Sequence, residues 1–141
     1  KGILTENPFA TLDRDGVAEV VLADGWSANY GRDARARITV GRHRRGAFET
    51  RLLGELPGGF MVNRLLPYDL DGDGRPELVV LGNRTVTAFR RGGGGQWSRS
   101  RLGSAPRSRD IALGNLDADP RPELVVATRQ GLRVLRNITL R

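Results

Sequence analysis

A chain of 141 residues without cysteine has room for one hydrophobic core, and it excludes disulfides, thiolate chemistry and cysteine-based zinc sites. Its formal charge is +7, from 23 basic residues of which only Lys1 is a lysine. Nineteen glycines and seven prolines punctuate short apolar runs, and no run approaches the about 18 apolar residues of a membrane span, so an all-β domain without a membrane-spanning helix is expected. The start at Lys1, without Met or a signal sequence, is that of a processed or truncated chain.

In chain order, Gly2 to Thr5 reads as the end of a preceding element. Pro8 to Leu12, Glu19 to Ala23, Ala36 to Gly41 and Phe48 to Leu53 then read as four strands. A second set follows: Asn63 to Leu70, Glu77 to Leu81, Thr85 to Arg90 and Trp97 to Leu102. A third begins with Arg109 to Asn115, Glu123 to Thr128 and Leu132 to Asn137, and stops one strand short. The chain is therefore one repeat domain, 1–141, with units at about 6–57, 58–104 and an incomplete 105–141.

The first two strands of each unit flank the same kind of loop. Asp69, Asp71, Asp73 and Glu77 alternate along the second loop, Thr11, Asp13, Asp15 and Glu19 along the first, and Asn115, Asp117, Asp119 and Glu123 along the third. Alternate oxygen side chains on a tight loop converge on one point, as a hard cation with about six to eight oxygen ligands requires. Calcium is the natural ion, with the backbone carbonyls of Arg75, Val17 and Arg121 completing the three sets. Four carboxylates confined to one loop would otherwise repel one another. Gly74 is expected at positive φ, and Pro76 stiffens the exit. Thr11 replaces a carboxylate by a hydroxyl, and Pro120 stands where the third loop needs its turn glycine. The competing reading is Asp/Gly-rich turns that bind nothing. An EF-hand is disfavoured, because its twelfth loop position must be a bidentate glutamate. Val80, Leu22 and Val126 stand there, inside short runs rich in β-branched residues.

These loops resemble the FG-GAP or VCBS type of calcium-binding β-propeller repeat, also seen in integrin α subunits. The resemblance covers most of the chain. It implies four-stranded antiparallel blades, about three of them, each with one calcium in the loop between its first and second strands. The Phe-Gly pair of that family is absent, and Gly103-Ser104-Ala105-Pro106 only echoes its Gly-Ala-Pro. Propellers close with about four to eight blades, so the chain is expected to be part of a larger propeller or to be completed by a partner.

Ten of the 16 acidic residues lie in the three loops, leaving a strongly basic remainder dominated by arginine. Arginine makes planar bidentate contacts to carboxylate, phosphate and sulfate. Arg42, Arg44 and Arg45 beside His43 form an expected hairpin tip, and Arg90-Arg91 a second. Trp26, Tyr30 and Arg32 share one long loop with the aromatic and guanidinium mixture of binding hot spots. The bland readings are a solvated surface and aromatic rings that cap the sheet. A nucleic-acid partner has net charge in its favour but no recognition helix or stacking platform. His43 has no nucleophile near it, and no catalytic residue is identified. The expected function is thus a calcium-binding extracytoplasmic module, periplasmic or at the cell surface, that binds a protein or an anionic glycan. The alternatives are a purely architectural subunit and part of a lyase-like enzyme, since some polysaccharide lyases carry propellers of this type.

Overall fold

Loop chemistry and strand spacing resolve, in a computed structural model, into three antiparallel sheets; the structure describes residues 3–10, 12, 15–24, 35–57, 61–119 and 121–136. The first sheet has the order β1-β2-β3-β4, from β1 (Ile3–Ala10), β2 (Glu19–Asp24), β3 (Ala36–Arg44) and β4 (Ala47–Leu56). The second has the order β5-β6-β7-β8, from β5 (Val62–Tyr68), β6 (Glu77–Gly82), β7 (Thr85–Arg91) and β8 (Trp97–Ser104). In the third, β10 (Glu123–Thr128) lies between β9 (Ser108–Gly114) and β11 (Gly131–Leu135). All three are meanders of sequential neighbours, and no helix occurs among the described residues.

Every expected strand is present, and the missing fourth strand of the third unit is missing among the described residues as well. One expectation fails. Ile3 and Leu4 do not end a preceding blade but pair with Ala23 and Leu22, so β1 is the first strand of the first sheet. Its ladder slips between Leu4 and Phe9, a stretch that contains Pro8, and proline has no N–H to give a ladder.

The sheets stack face to face, with β6 at the centre. All six of its residues are buried. Successive strand residues point to opposite faces, so Leu78 and Val80 enter a core shared with the first sheet (Val21, Ile38, Leu53, Leu56), whereas Val79 and Leu81 enter one shared with the third (Leu124, Val126). Near-continuous burial of β-branched and leucine residues is the pattern of a strand covered on both sides.

A repeated contact sets how the sheets dock. Gly54 in β4 lies under Phe89 of β7, and a Cβ there would sit 2.6 Å from the ring. Gly103 in β8 lies under Leu135 of β11, with the corresponding gap 2.7 Å. Register makes the pairs equivalent: Ile38↔Gly54 matches Val86↔Gly103, each at a ladder slip, and Phe89 opposite Leu78 matches Leu135 opposite Leu124. Polar links join the first strands, where Arg64 of β5 binds Asp110 of β9 at 2.7 and 3.1 Å and the Asn63 amide donates to the Ser108 carbonyl at 2.9 Å. The Arg64 hydrogen bond is the main reason that the Asp110 carboxyl is held below the usual range.

Candidate metal centre

The second loop, between β5 and β6, is built around its own carboxylates. Asp69 accepts the N–H groups of Gly72 and Gly74, both at 2.8 Å, one on each oxygen. Asp71 accepts from Asp73 N–H at 3.2 Å, and Asp73 from Arg75 N–H at 2.7 Å. Gly72 and Gly74 take φ of 74° and 79°, which a side chain would strain. This extends to Gly72 the positive φ expected of Gly74 alone.

Ligand oxygens of Asp69, Asp71 and Glu77 lie within 4.8 Å of one another, the one such acidic group among the described residues. Asp73 stands outside it. The donor set is all hard oxygen, which fits calcium and not a soft or imidazole-seeking metal.

Glu77 has a second task that residue type alone did not signal. Its side chain is almost wholly buried, and one oxygen accepts the Leu70 N–H at 2.9 Å. Glu19 accepts from Leu12 N–H at 2.7 Å, and Glu123 from Leu116 N–H at 2.7 Å, each seven residues back. The glutamate that ends each loop therefore latches the loop's beginning. Burial, chiefly, pushes the Glu77 carboxyl above its ordinary range; Leu70 N–H opposes this, Asp71 and Asp73 reinforce it, and Arg90 opposes it.

Arg90 is the other unforeseen member. Rather than extending from a hairpin tip, its guanidinium lies 2.7 Å from Asp71 Oδ2 and 3.9 Å from Glu77 Oε1. The ladder step Leu78↔Phe89 places it opposite Glu77, and the step Val20↔Gly41 places Arg42 opposite Glu19 in the same way. Arg42, expected to face a partner, is instead paired with Asp15 of the first loop. Arg136 occupies the same place opposite Glu123, but no ion pair joins it to the third loop among the described residues. A signal was present in the sequence: Arg90 and Arg136 each follow their glutamate by 13 residues. The long first-unit loop hides the third instance.

The other loops are partial copies. In the first, Gly16 has φ of 77° and Asp15 accepts from Val17 N–H at 2.9 Å, while Thr11 and Asp13 lie outside the described residues. In the third, Asn115 accepts from Asp117 N–H at 3.2 Å, and its amide donates to the Asp119 carbonyl at 2.6 Å. Asp117 and Asp119 continue the chain of turns at 3.0 and 2.6 Å, but no acidic group gathers there. Pro120, and the partner candidates Trp26, Tyr30 and Arg32, also lie outside the described residues. His43, Arg44 and Arg45 are exposed at the β3–β4 turn, with Arg45 at φ of 49°.

No curated protein and no solved structure matches this chain. Residues 69–126, running from the first carboxylate of the second loop through its blade to the strand after the third loop, match the family model of the FG-GAP-like repeat.

Proposed function

We propose that this chain is a calcium-stabilised β-propeller-type module, acting outside the cytoplasm in binding or assembly and not in catalysis. The observation that carries the reading is the convergence of Asp69, Asp71 and Glu77 in a loop whose backbone is already folded around their oxygens. Preorganisation of this kind lowers the cost of binding an ion. Extracellular modules bind calcium with dissociation constants of about 10⁻⁴ to 10⁻³ M. An ion at about a hundredfold its dissociation constant adds roughly 2.7 kcal/mol to stability. The ion's role is to stiffen the turn between the first two strands, and the partner is a protein or an anionic glycan.

The test is a thermal melt in calcium, in magnesium and in excess chelator, repeated with Asp71→Ala. A melting point raised by calcium alone, with most of the rise lost in the variant, supports the reading. An identical melt in calcium and chelator sinks it.

A second reading, an architectural subunit of a larger assembly, has one feature in its favour. β11 is the outer strand of a three-stranded sheet, and Leu132 is 75% and Val134 43% exposed on it. An open edge with apolar side chains suits the addition of another strand.

A further inference from the structure

At the end of the blades opposite the acidic loops, three connections border an open recess of about 440 Å³, a size that holds small ligands. Arg84 comes from the β6–β7 turn, Arg107 from the β8–β9 connection, Arg109 from the start of β9, and Arg129 from the β10–β11 turn. No acidic residue lines it, and none of the four guanidinium groups has an ion pair or hydrogen bond among the described residues.

The hydrogen-bond inventory of the recess is one-sided. Five of its backbone carbonyls are consumed internally: that of Met61 by Asn83 N–H at 3.0 Å, that of Asn83 by Arg107 N–H at 2.9 Å, and that of Arg84 by Ala105 N–H at 2.7 Å. The Arg107 carbonyl accepts from Arg129 N–H at 3.3 Å, and the Ser108 carbonyl from the Asn63 amide at 2.9 Å. The Asn83 side-chain oxygen accepts from Met61 N–H at 3.4 Å, and the Ser108 hydroxyl donates to the Gly82 carbonyl. The side chains that remain are mainly donors: four guanidinium forks and the Asn83 amide NH₂. These bonds also tie the three turns to one another, so the donors stand on a rigid frame.

Arg107 adds an independent sign. Its φ is 57°, where glycine is the residue without strain. An arginine at a strained position, within a cluster of arginines, is a candidate for a functional side chain.

We infer that this recess binds the oxyanion groups of an anionic glycan. The ligand must be rich in acceptors and multiply charged, because four guanidinium groups and no acidic residue line the wall. Sulfate or uronate groups engage arginine forks bidentately. Sugar hydroxyls accept as well as donate, whereas the regular row of N–H groups of an acidic peptide would meet a wall most of whose carbonyls are already used. The inference deepens the binding role proposed above by giving it a surface, and it does not depend on calcium.

Titration calorimetry of the full chain, in chelator and again in calcium, tests it with four probes. These are a sulfated hexasaccharide, its desulfated counterpart, an oligogalacturonate and a polyglutamate peptide. Arg107→Gly, which also relieves the strained backbone, and Arg129→Gln each weaken binding of the charged glycan by about tenfold. Arg51→Gln and Arg101→Gln remove the same charge from exposed positions on the outer strands β4 and β8 and leave binding within twofold. The preferred charged glycan identifies the oxyanion as sulfate or carboxylate. Equal losses in both pairs of variants, tighter binding of the peptide, or no saturable binding of either charged glycan overturns the inference. A chain whose melts ignore calcium but which binds the glycan at the recess loses the metal reading alone.

Discussion

Replacing Arg90 by glutamine removes a cation from beside Asp71 and Glu77 and leaves the strand otherwise intact. Its effect has opposite signs with and without calcium. The guanidinium is 2.7 Å from Asp71 Oδ2 and 3.9 Å from Glu77 Oε1, with 44% of the Arg90 side chain exposed. Two unit charges about 4 Å apart interact by roughly 4 kcal/mol near a protein surface. Exposure and screening reduce measured pairs of this kind to about 0.2–1 kcal/mol. In chelator, the variant therefore loses about 1 kcal/mol, or about 4 °C of melting temperature. With calcium the arginine is a competitor for the same carboxylates. Removing it tightens calcium binding by about fivefold, the equivalent of about 1 kcal/mol. Melts in chelator and in calcium, together with calorimetric titration of the ion, read both quantities on one preparation. Calcium affinity that falls, or stays the same, in Arg90→Gln refutes the competition; a chelator melt that does not move refutes the role as internal counterion.

Glu77→Leu leaves the Leu70 N–H without its acceptor in a buried place and costs about 1–3 kcal/mol in chelator by urea melt, while Glu77→Gln, which keeps a carbonyl oxygen, costs less. Because the Glu77 carboxyl is raised, its contribution in chelator is complete below its unfolded value and is lost as pH rises through the folded one; Glu77→Gln should flatten that decline. Asp110 behaves in the opposite way. Its carboxyl is lowered by Arg64, so its contribution is present above the unfolded value and disappears as pH falls through the folded one, and Asp110→Asn should remove that acid-side loss in melts between about pH 2 and 5. Gly54→Ala drives a methyl into Phe89 and should cost about 1–3 kcal/mol, with Phe89→Leu restoring part of it in the double variant.

The strands and the acidic loops were legible because each depends on local pattern. Glu77-Leu78-Val79-Val80 announces a strand by its β-branched content, and the alternating carboxylates announce a turn by their spacing. Ile3 and Leu4 were misplaced because polar Thr5-Glu6-Asn7 and Pro8 interrupt the run, and only pairing with Leu22 and Ala23 shows that they continue it. The arginines of the loops were missed for a related reason. Arg42 and Arg90 look like surface charge until the register sets them opposite Glu19 and Glu77. The four-arginine recess draws on three turns separated by more than 20 residues at each step, a neighbourhood that no window along the chain contains.

The glycine hollows of β4 and β8 give the stack a direction. Each hollow accepts a large side chain from the third strand of the blade that follows, so the contact is head to tail and cannot be reversed. A duplicate of the second blade spliced after itself would present Phe89 to Gly103 and dock. The first blade has Gly41 at the corresponding place. There the ring of Phe48, from β4 of the same sheet, lies over the glycine. Gene duplication within this chain can therefore lengthen the run by copying its second blade, whereas a copied first blade would offer the next hollow a fourth-strand ring in place of a third-strand side chain.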